Sequence, residues 1–161
     1  MTLMEKRMDD AQTLWTHWQP LLVLDFAVVP SQPGAYVIAT DRSIPRAIGV
    51  DPDGILHVGE SSDLRYRLRS FLRCASHRGE EGHMAGWRYA YFKHDRYFPL
   101  SSLRAKWCVA QSKQDGYRVE GALLLSYLQR HCELPPLNYK FNWKLFEESN
   151  WGILDQSPRE Q

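Results

Sequence analysis

The feature that most constrains this chain is a run that begins at Ser61, Ser62 and Asp63, three residues able to cap a helix N-terminus. Leu64, Leu68, Phe71, Leu72 and Ala75 follow at helical spacing, which predicts a helix over about 62–75. At about 100° per residue those apolar side chains form one stripe, and it must face a core. Arg65, Arg69 and Arg73 then fall beyond one shoulder of the stripe and on the outer side. Arg67 stands alone on the opposite shoulder, about 60° from Leu64. Two uses suit such a residue: its stem can lie on the core while the charge snorkels to solvent, or its fork can meet a phosphate.

On either side of this helix, GAYVIAT (34–40) and ILHVG (55–59) read as strands joined by a long, turn-rich connection at 41–54. Residues 83–93 read as a second helix, although WRYAYF also suits a strand. LRAKWCVAQ (103–111) reads as a strand, Asp115-Gly116 as a turn, and 119–132 as a helix stopped by Pro135 and Pro136. The order predicts an α+β fold with a small, mostly antiparallel three-stranded sheet flanked by helices. Residues 1–29 read as an N-terminal arm or helix packed on a core at 30–150, and 151–161 as a polar, disordered tail.

With 161 residues, 43% of them apolar, the chain can bury one core without disulfides or metals. Cys74, Cys108 and Cys132 are too scattered for a disulfide framework or a zinc site and read as reduced, buried thiols. The charged start and the lack of a long apolar run predict a soluble, cytoplasmic protein with no membrane partner. A net charge of +1 offers little global attraction for nucleic acid, so any footprint must be local. Between Arg65 and Arg78 there are five arginines and no acid, which makes Arg65, Arg69, Arg73 and Arg78 candidate phosphate contacts or simply a solvated face.

Glu120 precedes Leu123, Leu124, Tyr127 and Leu128 on one predicted helix face, which puts a carboxylate at the head of an apolar stripe. A buried carboxylate must be paired, protonated or bound to a metal, and one exposed near a helix N-terminus gains from the dipole.

Taken in order, GAYVI, HVGESSDLRYRLRSF, VEGALLLSYLQ and PPLNYKFN resemble the motifs of the GIY-YIG nuclease family over about residues 30–142. The resemblance implies a divalent-metal-dependent endonuclease that hydrolyses DNA, with Mg²⁺ or Mn²⁺ on Glu120. It also implies catalytic roles for Tyr36, His57, Arg67, Glu120 and Asn138. His83 is carried over as an active-site histidine, since Phe71 stands where the family often has one. Two departures mark this chain: His57 replaces the second-motif tyrosine, and twenty residues separate it from Tyr36, about twice the usual spacing. With an unperturbed pKa near 6.5, His57 can replace that tyrosine as a proton acceptor. It can equally mark an inactive nucleic-acid-binding module that uses the arginine helix and the aromatic run Trp87–Phe92. An interaction protein with no nucleic-acid role would require all four motifs to be coincidence.

Overall fold

The structure is a computed structural model that describes residues 15–77 and 80–141. Most of the predicted N-terminal helix, Arg78 and the polar tail lie outside the described residues. Among those described the strands are β1 (Gln19–Pro20), β2 (Gly34–Thr40), β3 (Ile44–Pro45), β4 (Val50–Asp51), β5 (Ile55–Ser61) and β6 (Leu103–Val109). The helices are α1 (Leu64–Ser76), α2 (Met84–Tyr91) and α3 (Lys113–His131). No helix among the described residues is long and apolar enough to cross a membrane.

The α+β expectation holds, but the sheet has four strands rather than three: β1-β6-β2-β5, antiparallel throughout. The extra strand lies within the predicted arm, where Gln19 and Pro20 pair with Ala105 and Arg104. A two-residue strand containing a proline carries no strand periodicity of its own, and it exists because the edge of β6 was open to it.

Helices cover both faces, which is why all seven residues of β2 are buried. Tyr36, Ile38, Leu56 and Trp107 pack with Leu64, Leu68 and Phe71 of α1 and with Ala85 and Tyr89 of α2. On the other face Val37 and Val58 meet Leu124 of α3, with Trp15 and Trp18 at the margin. Asp63 caps α1 by accepting from the Tyr66 amide at 2.9 Å.

Two further expectations are corrected. Asp115-Gly116 is no turn but the first turn of α3, capped by Ser112, whose hydroxyl accepts from the Asp115 amide at 3.1 Å. Gly116 serves proximity instead: a Cβ there would sit 3.0 Å from the Gly34 carbonyl oxygen, so the glycine lets α3 lie against β2. Cys74 and Cys108 are buried free thiols as expected, whereas Cys132 is exposed, because it ends α3 in the left-handed conformation at φ 57°.

The long 41–54 connection folds as a small β3–β4 hairpin bound to the far end of α3. Asp51, 1% exposed, accepts from the Ile55 amide at 2.7 Å and from the Tyr127 hydroxyl at 3.1 Å. Arg46 reaches Glu133 at 3.0 Å and the Leu134 carbonyl at 2.8 Å. Glu133 lies just past the end of α3 at His131, which is eleven residues and about 16 Å along the helix axis from Glu120, so the insertion decorates the fold at the other end of the helix.

Candidate active site

The site is assembled at β5, the one edge of the main sheet that β1 does not cover. Here a β-bulge falls opposite Ile38 and Ala39: Ile38 pairs with His57, Ala39 pairs with Ile55, and Leu56 is the extra residue. Direct pairing with Ile38 puts the His57 imidazole on the α1 and α2 side, the face of Tyr36 and Ile38, and the bulge turns the neighbouring Leu56 to that face as well. Gly59, opposite Tyr36, supplies the space: a Cβ there would lie 2.5 Å from the phenol oxygen. The Tyr36 ring therefore crosses β5 at the glycine.

Asn138 holds this strand edge. Its amide nitrogen donates to the Val58 carbonyl at 2.8 Å and its oxygen accepts from the Val58 amide at 2.9 Å, as a neighbouring strand would. The adjacent Leu137 amide donates to Leu56 at 2.8 Å. Asn138 thus supports the site through the backbone beside His57.

Three predicted residues meet in a ring cluster with centroids 5.5–6.0 Å apart: Tyr36, His57 and His83. The Tyr36 hydroxyl lies 2.7 Å from His83 Nε2 and 3.3 Å from His57 Nε2. His83 also caps α2, where the Gly86 amide donates to its Nδ1 at 3.4 Å. Neutral His83 must then carry its proton on Nε2 and donate to Tyr36, a tautomer assigned from its partners. The phenolic hydrogen is left for His57 Nε2, and a directed chain runs His83 to Tyr36 to His57. Phe71 packs edge-on against His83 at 5.2 Å and so buttresses the histidine that caps α2.

Burial keeps this chain uncharged. It raises the Tyr36 pKa, opposed by the Arg67 charge and reinforced by Glu120 and Glu60. It lowers His57 to about 3, with Arg67 and Arg88 adding to the effect. His83 is driven well below the ordinary histidine value by burial, then by His57 and Arg67.

Arg67 acts on every one of these groups, yet no hydrogen bond or ion pair among the described residues holds its guanidinium. It borders a cleft of about 600 Å³ lined also by Glu81, Gly82, His83, Met84 and Trp87. The other arginines of α1 are engaged. Arg65 donates to the Val29 carbonyl at 2.7 Å and to Ala27 at 3.2 Å, Arg69 lies over the Phe26 ring at 5.6 Å, and Arg73 pairs with Glu80 at 3.1 Å.

Glu120 is half-buried, and its pKa is raised to about 7 by burial first and then by Glu60, against the pull of Arg67. Glu60 is the residue that sequence reasoning passed over. It pairs with Ala35 and so faces α3, where its Cβ lies 3.6 Å from the Cβ position of Gly116, one helical turn before Glu120. Only 9% of Glu60 is exposed, and its Oε2 is buried without a hydrogen-bond partner. Burial raises its pKa, while Lys113, a Tyr117 hydrogen bond and Arg67 lower it. Its signal was present in the sequence, an acid directly after the strand glycine, but only the register shows that it turns toward α3.

Two neighbouring carboxylates, of which Glu60 has a buried oxygen without a hydrogen-bond partner, suit a hard cation that takes few protein ligands. No group of three or more His, Cys, Asp or Glu side chains placed to hold a metal occurs among the described residues, so the donor set stays at these two. A scan against protein-family models gives no match, and a search of curated proteins gives none either.

Proposed function

We propose that this chain is a divalent-metal-dependent, cytoplasmic endonuclease that hydrolyses DNA phosphodiester bonds through a GIY-YIG-like site. The observation that carries the reading is the meeting, at one sheet edge, of Arg67, whose guanidinium has no hydrogen-bond or ion-pair partner among the described residues, a Tyr–His–His hydrogen-bonded cluster and two carboxylates.

Glu120, with Glu60 beside it, would hold the cation, and a donor set of carboxylates, waters and substrate oxygens suits Mg²⁺ or Mn²⁺. When bound, such an ion polarises the phosphate and stabilises the charge that develops on the leaving oxygen. Arg67 supplies the matching organic cation, a fork that binds phosphate oxygens in two parallel hydrogen bonds. Tyr36 is a conduit for the proton of the attacking water rather than its store, because burial disfavours the phenolate. His57 is the acceptor at its end. A phosphodiester against Arg67 offsets one of the charges that lower His57, so the base gains proton affinity only with substrate in place.

The arginines that an inactive nucleic-acid-binding module would use, Arg65, Arg69 and Arg73, also have contacts within the fold, which favours the nuclease reading. The test is nicking of supercoiled plasmid with Mg²⁺ or Mn²⁺. The wild type is expected to cut, and Glu120→Gln to lose about a thousandfold in rate. Undiminished metal-dependent cutting by Glu120→Gln would sink the assignment.

A further inference from the structure

Helix α2 is apolar on two sides. Ala85, Gly86, Tyr89 and Ala90 are buried, and a Cβ on Gly86 would lie 2.6 Å from the Phe71 carbonyl oxygen of α1. The opposite stripe, at i, i+3 and i+7, is Met84, Trp87 and Tyr91. Met84 is 61% exposed, Tyr91 60%, and Phe92, just beyond the helix, 49%. Arg88 is the one charged residue of this helix, and an exposed apolar stripe opposite a buried one requires an explanation.

The stripe is ordered as a platform. The Trp87 and Tyr91 rings stack at 4.6 Å and 17°, and Phe92 stands edge-on to Tyr91 at 5.3 Å and 90°. Its near end belongs to the site already described, because Met84 and Trp87 line the same cleft as Arg67 and His83. From Met84 to Tyr91 it runs about 10 Å, room for a short row of bases.

We infer that this platform stacks unpaired bases of the strand whose phosphate lies at Arg67, so that the enzyme acts on single-stranded or locally unpaired DNA. This rests on the nuclease reading of the cleft. Bases in a duplex present only their edges in the grooves, and exposed aromatic rings beside a phosphate site stack on a base face that pairing and stacking in a duplex would hide. Charge argues the same way. With a net charge of +1 and three arginines of α1 engaged, sequence-independent attraction to a duplex is small, and stacking adds affinity to the phosphate contact at Arg67.

The experiment is fluorescence anisotropy of a labelled oligonucleotide in EDTA, single-stranded and annealed to its complement, with wild type, Tyr91→Ala, Trp87→Ala and Trp87→Phe. The wild type is expected to bind the single strand at least about tenfold more tightly than the duplex. Tyr91→Ala and Trp87→Ala each lower single-strand affinity about tenfold, while Trp87→Phe keeps most of it. Wild-type binding that favours the duplex, or affinity unchanged in Tyr91→Ala, overturns the inference. Tyr91 is exposed, so that variant reads the platform even if Trp87→Ala does not fold. Plasmid cutting lost in Glu120→Gln with unaltered Tyr91→Ala binding would sink the platform alone. Cutting retained in Glu120→Gln would sink the site assignment alone.

Discussion

Arg67 and Arg65 stand two residues apart on one helix and have opposite situations. Arg65 spends its guanidinium on two backbone carbonyls of the segment before β2, Arg69 covers Phe26, and Arg73 meets Glu80. Arg67, across the apolar stripe, has no such partner among the described residues, and its charge acts on Tyr36, His57, His83, Glu60 and Glu120. Composition makes the four equivalent. The difference teaches that a basic run on a helix is better read by the surroundings of each residue than by its sum of charge.

The sharpest way to break this contrast is to remove the two kinds of arginine separately. Arg67→Ala is expected to lower plasmid nicking by about a thousandfold, because a charge aimed at the reacting phosphate is lost. Arg69→Ala should remain within about threefold of wild type. Equal losses would return all the arginines to a common phosphate-binding face.

A second test concerns the carboxylate that faces Arg67. Glu120 has a folded pKa of about 7 against an unfolded 4.5, so its proton stabilises the fold below about 4.5, and that contribution is lost as pH rises toward about 7. Glu120→Gln cannot titrate. It is expected to be more stable than wild type at pH 8, by up to about 3 kcal/mol, and no more stable at pH 4.5. Added Mg²⁺ should raise the wild-type melting temperature at pH 8 and leave that of Glu120→Gln unchanged. His57 has the reverse sign: with a folded pKa of about 3, its neutral form loses stability as pH falls below about 6.5. Thermal unfolding against pH separates the two. A flat difference between wild type and Glu120→Gln would mean that Glu120 is not strained.

The smallest expected effect belongs to the structural side. Arg65→Met keeps the apolar stem and strands the carbonyls of Val29 and Ala27, a loss of about 1–2 kcal/mol in urea unfolding with kcat for nicking unchanged. A large loss of activity would place Arg65 with Arg67.

Much of this was legible in the chain itself. The Asp63 cap, the α1 stripe and the isolation of Arg67 follow from helical periodicity, a local property that survives without a partner. The strands at Tyr36 and His57 and their antiparallel pairing followed from composition and turn chemistry. The fourth strand and the start of α3 did not. Gln19–Pro20 is a strand only because β6 offers an edge, and Gly116 mimics a turn residue while serving a close approach.

The sequence by itself determined which residues bear chemistry and on which elements they ride, because periods of 3.6 and 2 are written in neighbouring positions. Only the tertiary structure decided who meets whom. Pairing with Ile38 put His57 on the face of Tyr36, a glycine let the phenol cross the strand, and the same register turned Glu60 to face α3 below Glu120. These depend on contacts between residues twenty to eighty positions apart, where no local pattern reaches, and they are what separate Arg67 from the arginines beside it.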